Sequence, residues 1–266
     1  MRSDRRILVV SLLLPLLSIW ACGEPPQLPD LAPRLLDDGA EMSDYLQAFP
    51  VSEYEIYEVP GIGRFYIDDN PANVKRKIRQ GRPHEPSLVR EFDRHVVPGT
   101  TVLDAGAHIG SLTLPLAQRV GPKGHVYAFE PQKKIFRELV YNVRLNELQN
   151  VTPLRFALSA EPGIIEMSPT ARKDGQTRIG TGGDRAEART IDSFGFSNVS
   201  LIKIDVEGHE AQVLKGAQET IRRWHPVILV EIWKPNVAKV VLILEEFGYA
   251  VKPINGGANF RAIFEG

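Results

Sequence analysis

The chain has 266 residues and a formal net charge of −1 at pH 7, with 43% hydrophobic and 24% charged residues. This composition is that of a globular protein, and the length suffices for one large domain or two small ones. Lys and Arg are scattered and form no basic stripe interleaved with aromatic side chains, so no nucleic acid partner is expected. The single cysteine, Cys22, excludes an internal disulfide framework and a cysteine-based zinc site.

The N-terminus, "MRSDRRILVVSLLLPLLSIWACGEPPQLPD", has a basic start, an apolar run from Ile7 to Ala21, and then Cys22 before a Pro-rich segment. The run is shorter than the ~20 residues of a spanning helix, so residues 1–21 are predicted to be a signal peptide. The letters "IWAC" resemble a bacterial lipobox, which would attach the protein to a membrane through a lipidated Cys22. The alternatives are a short membrane anchor, an ordinary signal peptide with an incidental cysteine, and a cytoplasmic protein whose translation starts at Met42. Export or membrane anchoring is the expectation.

Residues 22–99 divide into a linker and a small folded unit. Residues 22–50 are polar and Pro-rich and are interpreted as a linker. Residues 51–99 are predicted to form a hairpin and a helix packed on the core. "EYEIYEVPGIGRFYID" (53–68) alternates polar and bulky residues around a Pro-Gly turn, which indicates the hairpin. "GRPHEPSLVREFDRHVVPG" is a loop leading into a short helix that ends at Pro98-Gly99.

Residues 100–266 are predicted to be one α/β domain. Its candidate strands are almost continuously apolar, which is typical of parallel strands buried on both faces. These strands are 101–106, 125–130, 151–158, 200–206 and 225–232. Helical patterns lie between them, with apolar faces over 135–143, 214–224 and 237–244. The final "YAVKPINGGANFRAIFEG" is typical of two strands joined by a Gly-rich turn, so we predict a doubly wound, mostly parallel sheet closed by an antiparallel hairpin.

A glycine loop, "VLDAGAHIGS", follows the first strand of this domain and opens a helix. Gly106 and Gly110 allow a tight turn and close approach of a ligand. A dinucleotide fingerprint would need glycine where Asp104 stands, and a negative side chain suits a positively charged ligand better than a pyrophosphate. Glu130 ends the second strand 20 residues after Gly110, which is the spacing of an acid that binds ribose hydroxyls. The hypothesis is an adenosyl ligand without phosphates; the alternative is glycines that only pack a strand on a helix, beside a surface acid.

Five blocks resemble, in order, the FkbM-type methyltransferase family over residues 85–265. They are "VLDAGAHIG", "GHVYAFEPQKKIFRELVYNVRLNELQNV", "ARTIDS", "IKIDVEGHEAQVLKGAQETI" and "HPVILVEI". The resemblance implies the seven-stranded, Rossmann-like fold of class I methyltransferases, S-adenosylmethionine as cofactor, and methylation of a hydroxyl oxygen.

The resemblance also implies site residues. Asp104, Gly106 and Gly110, with Ala107 between the glycines, would form the loop at the methionine end of the cofactor, and Glu130 would bind its ribose.

Two further positions follow from the same resemblance. Phe156 and Ala157 would lie near the adenine, where many methyltransferases place an acid that this chain lacks. His108 stands where relatives commonly carry a small polar residue, which is a departure within the cofactor loop.

The segment "SLIKIDVEGHEAQVLKG" (200–216) concentrates acids where a strand meets a helix. Alternation would place Asp205 and Glu207 on one face if the strand extends to residue 207. A hydroxyl acceptor loses a proton on methylation, so Asp205 is the first candidate for the base or the acceptor-binding residue, Glu207 the second and His209 the third. Glu210 is interpreted as a first-turn acid that favours the start of the helix.

A metal site would need several hard oxygen ligands converging on one point. Asp205, Glu207 and Glu231, at the end of the next strand, could supply three, but no further cluster completes a shell. No metal is therefore predicted.

The polar segment "SPTARKDGQTRIGTGGDRAEA" (168–188) is long enough to be a functional cover or a disordered loop. We favour a cover over the substrate, with Arg172, Lys173 and Arg178 as acceptor contacts.

Three hypotheses about function remain open at this point. The first is an S-adenosylmethionine-dependent O-methyltransferase acting on a hydroxyl of a small molecule or glycan. The second is a NAD-dependent oxidoreductase, disfavoured by the missing glycine and by the absence of a Tyr-x-x-x-Lys pair. The third is an exported, non-catalytic ligand-binding domain that kept the fold, because S-adenosylmethionine is made in the cytoplasm while the N-terminus indicates export.

Overall fold

A computed structural model describes residues 54–168 and 180–266. The expected signal peptide (1–21), the linker (22–50) and the lipidation site at Cys22 lie outside the described residues. So do three basic residues expected in the cover, Arg172, Lys173 and Arg178. None of the helices in the two described ranges is long and apolar enough to span a bilayer.

Twelve strands alternate with seven α-helices in the described chain. The strands are β1 (Tyr54–Val59), β2 (Gly63–Asp68), β3 (Thr101–Ala105), β4 (His125–Phe129), β5 (Val151–Leu154), β6 (Ala157–Leu158), β7 (Gly163–Glu166), β8 (Arg185–Arg189), β9 (Val199–Ile204), β10 (Val227–Glu231), β11 (Tyr249–Pro253) and β12 (Asn259–Phe264). The helices are α1 (Asn73–Arg79), α2 (Pro86–His95), α3 (Thr113–Val120), α4 (Lys133–Leu145), α5 (Glu210–Lys215), α6 (Gln218–Trp224) and α7 (Val237–Glu246).

The main sheet has seven strands in the order β11-β12-β10-β9-β3-β4-β5. The five strands from β10 to β5 are parallel, and β12 pairs antiparallel with both β10 and β11. Successive residues of β3 belong to different core clusters, Val102 to one and Leu103 to the other, because side chains alternate across a strand and both faces are covered. The predicted α/β class, the parallel sheet and the C-terminal hairpin are confirmed.

The sequence prediction of one strand over 151–158 is wrong. The chain leaves the main sheet after β5 and joins a separate three-stranded sheet with the order β6-β8-β7. Arg155 is buried at the break and donates a hydrogen bond to the carbonyl of Arg185, which directs the chain toward the small sheet. One straight strand and two short strands separated by a bend have the same pattern of apolar residues. The sequence pattern therefore did not show the break between β5 and β6.

The single apolar face predicted over 214–224 belongs to two helices, α5 and α6, that meet at Gly216. A Cβ at Gly216 would lie 2.0 Å from the carbonyl oxygen of Ser159, so this close approach requires glycine. Asp192 then accepts hydrogen bonds from the backbone N–H groups of Glu219 and Thr220 and begins the second helix.

The predicted N-terminal hairpin is present as β1 and β2, and the helix predicted after it is α2. Helix α1 was not predicted. Strand β8 begins at Arg185, so the polar segment expected to be one loop over 168–188 is the connection of an antiparallel pair, β7 and β8.

Candidate active site

Four residues form a row where the parallel strands reach their carboxyl ends. The pairing of β4 with β3, of β3 with β9 and of β9 with β10 matches Phe129, Ala105, Ile204 and Val230. The next residue of each strand is therefore Glu130, Gly106, Asp205 and Glu231 in that order. Backbone bonds continue the ladder at this level, from Gly106 N–H to the Phe129 carbonyl (3.0 Å) and from Asp205 N–H to the Ala105 carbonyl (2.9 Å).

A cavity of about 470 Å³ lies against this row. In open parallel sheets ligands bind outside the carboxyl ends of the strands, which is where this cavity lies. Seven residues predicted for cofactor or catalysis line it, namely Gly106, Ala107, Glu130, Ala157, Asp205, Glu207 and His209. Two predicted residues, Asp104 and Gly110, are not among its lining residues.

Gly106 brings the chain so close to its neighbour that a side chain has no room. Its φ of 80° is in the left-handed region, and a Cβ would lie 1.8 Å from the carbonyl oxygen of Asp205. Gly110 also has a positive φ, of 88°, but a Cβ there would meet side chains of the interior, with Leu139 Cδ1 at 3.0 Å. Gly110 is therefore needed for the turn and for packing in the interior, whereas Gly106 forms part of the cavity wall.

Asp104, which was expected in the loop at the methionine end of the cofactor, does not line the cavity. Its carboxylate is fully buried, accepts a hydrogen bond from the Thr113 hydroxyl (2.7 Å) and lies 3.1 Å from Lys203 Nζ. Lys203 in turn donates to the Gly106 carbonyl (2.7 Å). Burial lowers the pKa of Lys203, but the Asp104 and Asp205 carboxylates outweigh it and raise that pKa, so the lysine is charged. Asp104 thus neutralises a buried cation that supports the glycine loop.

Glu130 presents a fixed carboxylate to the cavity. Its two oxygens accept hydrogen bonds from the backbone N–H groups of His108 (3.0 Å) and Gln132 (2.9 Å). Burial raises the pKa of Glu130 to about 7, although the two amides oppose that rise. The Gln132 side chain also hydrogen-bonds this carboxylate. Because a carboxylate has about four lone-pair sites, Glu130 can still accept the proton of a ribose hydroxyl.

The wall beyond Glu130 is apolar. Ala157 lines it together with Phe156, Ile165 and Met167. Phe156 is 2% exposed, and the Arg189 guanidinium lies 4.5 Å from its ring centroid. An apolar wall beside a carboxylate that can accept a hydroxyl proton suits a nucleoside.

The acids expected for catalysis reach the cavity by a different backbone path from the one predicted. Strand β9 ends at Ile204, and Glu207 has a φ of 50°, so Asp205 and Glu207 do not share a strand face by alternation. Both nevertheless line the cavity. The strand therefore stops three residues short of residue 207, and a turn at Glu207 and Gly208 follows it.

His209 and Glu210 lie at the start of α5 and have different roles. His209 lies at the cavity, its Nε2 is 3.0 Å from the Ser159 hydroxyl, and burial lowers its pKa, which favours the neutral ring. Glu210 is 1% exposed and its Oε1 accepts the Gly208 N–H (2.6 Å), so it closes the turn that precedes α5.

Sequence reasoning missed two lining residues that precede α2, His84 and Glu85. Burial lowers the pKa of His84 to about 3, so the ring is neutral. Burial and the neighbouring Asp205 raise the pKa of Glu85, which also has a left-handed φ of 45°. The only signal was a His-Glu pair between two prolines, "PHEP", immediately before a helix.

The acids of the cavity do not form a metal centre in the part of the chain that the structure describes, where no group of three or more His, Cys, Asp or Glu is placed to hold a metal ion. Glu231 shares the cavity with Asp205, Glu207 and Glu85. Burial raises the pKa of Glu231 to about 8, and these three carboxylates contribute to that rise.

Comparison with known proteins gives the family. The model of the methyltransferase FkbM domain matches residues 104–251, more than half of the chain. The chain belongs to the FkbM methyltransferase family. The matched range contains the glycine loop, Glu130, the segment from Asp205 to Glu210 and Glu231.

Curated relatives of this FkbM methyltransferase are methyltransferases too. The hexuronic acid methyltransferase AglP of Haloferax volcanii is 30% identical over 151 residues, which are 54% of this chain and 61% of that protein. Methyltransferase sdnD of Sordaria araneosa is 25% identical, with 56% of this chain and 73% of that protein covered. The chain thus spans less than two thirds of AglP. Among solved structures, the methyltransferase FkbM from Methylobacillus flagellatus superimposes with a TM-score of 0.47 at 16% identity, covering 66% of this chain and 50% of that one.

The lining of the cavity fits S-adenosylmethionine, the cofactor expected from the sequence. Glu130 would hold the ribose, and the apolar wall at Phe156 and Ala157 the adenine. The missing Cβ at Gly106 leaves room for the methionine end against the main chain of Gly106 and Ala107. The sequence alternative of a NAD-dependent oxidoreductase is not supported.

Proposed function

We propose that this protein is an S-adenosylmethionine-dependent O-methyltransferase that acts on a hydroxyl group of a small molecule or glycan. One observation carries the proposal: carboxylates at the strand ends, Asp205 and Glu231, line the same cavity as the cofactor loop. Methylation of a hydroxyl releases a proton, and a placed carboxylate that receives it contributes ~10²–10⁴-fold to the rate.

The order of the residues in the row at the strand ends gives each of them a role. When bound, S-adenosylmethionine supplies an activated methyl group on a sulfonium. Glu130 and the loop at Gly106 hold the donor on one side, while Asp205 and Glu231 stand on the other, where the acceptor hydroxyl would enter. Holding two reactants in line supplies much of the acceleration of such a displacement. The chain's own chemical task is then the removal of one proton.

Two observations support a small molecule or glycan that is rich in hydroxyl groups as the acceptor. AglP, named a hexuronic acid methyltransferase, is similar over part of its length, which favours a sugar hydroxyl. The acceptor side of the cavity is polar, with His84, Glu85 and Glu207 on its wall, as suits a hydroxyl-rich ligand.

A second candidate function rests on the N-terminal pattern of residues 1–21. An exported or membrane-anchored protein, held through a lipidated Cys22, would be separated from the cytoplasmic supply of S-adenosylmethionine. Such a protein could keep the fold as a non-catalytic adenosyl- or ligand-binding domain. Labelled palmitate that enters the wild-type protein but not Cys22→Ala would support the anchor, and label retained by the variant would refute it.

Thermal unfolding of the full chain with S-adenosylhomocysteine, and with NAD in parallel, tests the pocket. Ligand at a hundred times its dissociation constant adds ~2.7 kcal/mol, a rise in Tm of roughly 5–10 °C for a chain of this size. We expect that rise with the adenosyl ligand only. Methyl-labelled S-adenosylmethionine is then offered with a panel of hexuronic acids, methyl hexosides and hexosamines.

Transfer of label to an acceptor oxygen would establish the function. Binding without transfer to any acceptor of the panel would favour the non-catalytic candidate. No shift with S-adenosylhomocysteine would reject the methyltransferase and favour a non-catalytic domain that binds a different ligand.

A further inference from the structure

The two carboxylates of the row, Asp205 and Glu231, have different electrostatic surroundings. Asp205 lies beside a cation, since its Oδ2 is 3.7 Å from Lys203 Nζ. Lys203 is almost fully buried and is held between Asp104 and Asp205, so its charge remains directed at these acids. A neighbouring cation favours the ionised form of a carboxylate and makes it a weaker base.

Glu231 is placed among anions. Asp205 and Glu207 face it from the end of β9, and Glu85 faces it from the segment before α2. Its neighbour on β12 is Asn259, an uncharged residue that donates to Glu85 Oε2 (3.4 Å). In the described ranges the Glu231 carboxylate has no ion pair and no side-chain hydrogen bond, and Lys203 is the cation that acts on it, from beyond ion-pair distance.

When two groups of the same type have different surroundings, their proton affinities differ. That difference indicates which group acts as the base. Burial and three neighbouring carboxylates raise the pKa of Glu231, whereas Asp205 has the lysine beside it. The raised pKa gives Glu231 the proton affinity that a base needs near neutral pH. It is also reachable, because it lines the cavity at the level of Asp205.

We propose that Glu231 is the catalytic base of the transfer and that Asp205, held by Lys203, is the anion that keeps Glu231 basic and orients the acceptor hydroxyl. The inference rests on the proposed O-methyltransferase function. The acceptor oxygen forms a bond to the methyl carbon, the carbon–sulfur bond breaks with its electron pair remaining on sulfur, and the hydroxyl proton moves to a Glu231 oxygen. Glu231 then releases that proton to solvent.

The assignment requires a pH dependence of a definite sign. A base works in its deprotonated form, so kcat/KM should rise with pH through the pKa of Glu231, about 8, and level off above it. Removing the negative charge of Asp205 should lower the pKa of Glu231 and move this rise to lower pH. If Glu231 had only a structural role, kcat/KM would not rise through the pKa of Glu231. Removal of the Asp205 charge would then have no such rise to shift.

The first experiment needs no acceptor. The full chain, labelled with ¹³C at glutamate carboxyls and saturated with S-adenosylhomocysteine, is titrated by NMR as wild type and as Glu231→Gln. We expect one glutamate resonance that titrates near pH 8 in the wild type and is missing in the variant. If the variant loses no titration in this range, Glu231 is not the basic carboxylate and the proposal is overturned.

The second experiment compares rates on a panel acceptor that the wild type methylates. Glu231→Gln should lower kcat by ~10²–10⁴-fold and remove the alkaline rise, while the affinity for S-adenosylhomocysteine stays unchanged. Asp205→Asn should lower kcat less and shift the rise to lower pH. Glu161→Gln, an exposed acid outside the cavity, is the matched control and should match the wild type.

Wild-type turnover and pH profile in Glu231→Gln would overturn the inference and leave the methyltransferase function intact. A wild type that methylates nothing in the panel counts against the proposed function, and the NMR titration still decides whether Glu231 has the proton affinity that the inference requires.

Discussion

Gly106 lies at the carboxyl edge of the main sheet, where the cofactor loop begins beside Asp205. Strand β3 ends one residue before it, and the backbone turns there with φ of 80° to bring the chain against the Asp205 carbonyl. Any other L-residue would have to adopt that left-handed conformation and find room for a Cβ 1.8 Å from an oxygen. The residue therefore fixes the spacing between the strand end that carries Asp205 and the loop that meets the donor.

Gly106→Ala should uncouple these two parts of the site. The overlap can be relieved only by moving backbone, which shifts either the loop or the end of β9. We expect the affinity for S-adenosylhomocysteine to fall by an order of magnitude or more, and the free energy of unfolding to fall by ~1–3 kcal/mol or more for the strained conformation. Calorimetric titration and urea unfolding would measure the two effects.

Gly163→Ala is the matched control for this substitution. No atom lies within 4 Å of the position that a Cβ would take at Gly163, and its φ is not positive. Alanine there should therefore leave both quantities near their wild-type values. Wild-type affinity in Gly106→Ala would show that the close approach to Asp205 is not needed by the site.

Residues with a local signature could be predicted from the sequence, and residues defined by distant partners could not. Gly106 and Glu130 follow strands at a spacing that itself indicates a ligand, so both were found. The role of Asp104 depends on Lys203, which only the register of β3 with β9 brings beside it. Glu85 reaches the cavity through the packing of a segment that carries no motif.

Helix α4 joins the N-terminal hairpin to the cofactor loop. Asn142, in its last turn, is fully buried, and its Oδ1 accepts the backbone N–H of Tyr66 on β2 (2.7 Å). Its Nδ2 donates to the carbonyl of Ile109 in the loop (2.9 Å). One side chain thus satisfies a donor and an acceptor from two elements that do not otherwise share a ladder.

Asn142→Ala should loosen both elements at once. It leaves a buried N–H and a buried carbonyl without partners, and each such group costs ~1–3 kcal/mol. Asn146, one turn later, bonds Arg64 N–H (2.8 Å) and the Arg64 carbonyl (2.7 Å) at a solvent-exposed site, where water can replace it. We expect Asn146→Ala to destabilise much less.

Urea unfolding measures this difference, and hydrogen exchange of the Tyr66 amide locates it. Equal losses of stability in the two variants would contradict the argument from burial. Unchanged exchange at Tyr66 in Asn142→Ala would show that the helix does not hold the hairpin through this side chain.

Elements whose burial is uniform were predicted within a residue or two, and elements that bend were not. Strands β3, β4, β9 and β10 carry continuous apolar runs that end at polar residues, so their limits are visible in the sequence. The break between β5 and β6 depends on buried Arg155 and its bond to another strand, and the break between α5 and α6 depends on Ser159 lying against Gly216. Both contacts are long-range, and hydrophobic periodicity contains no information about them.

At the scale of the whole molecule, the site imposes opposite pH dependences on ligand binding and on stability. Burial raises the pKa of Glu130 to about 7 and of Glu231 to about 8, from an ordinary value near 4.5. Burial also lowers the pKa of His84 to about 3 and of His125 to about 4, from 6.5. The acids make the folded state bind protons that the unfolded state has released, and the histidines do the reverse.

The histidine contribution is complete once the unfolded chain has lost its imidazole protons, above about pH 6.5. Beyond that point the raised carboxyls act alone, and the unfolded state binds fewer protons than the folded state. The free energy of unfolding should therefore fall as pH rises from about 6.5 to 8.5. The affinity for S-adenosylhomocysteine should rise over the lower part of this range, because ionised Glu130 accepts the ribose hydroxyls better than its protonated form.

Urea unfolding and calorimetric titration of the full chain at half-unit steps of pH would follow the two quantities together. Burial also raises the pKa of Glu138 to about 7, so Glu231→Gln removes one of three carboxyls raised into this range. The stability of this variant should fall less steeply with pH, while its affinity for S-adenosylhomocysteine rises as in the wild type. Stability that is flat or rising between pH 6.5 and 8.5 would show that these carboxyls are ionised at no cost in the folded protein. Glu231 would then lack the proton affinity that a base for hydroxyl methylation needs, and Asp205 would become the stronger candidate.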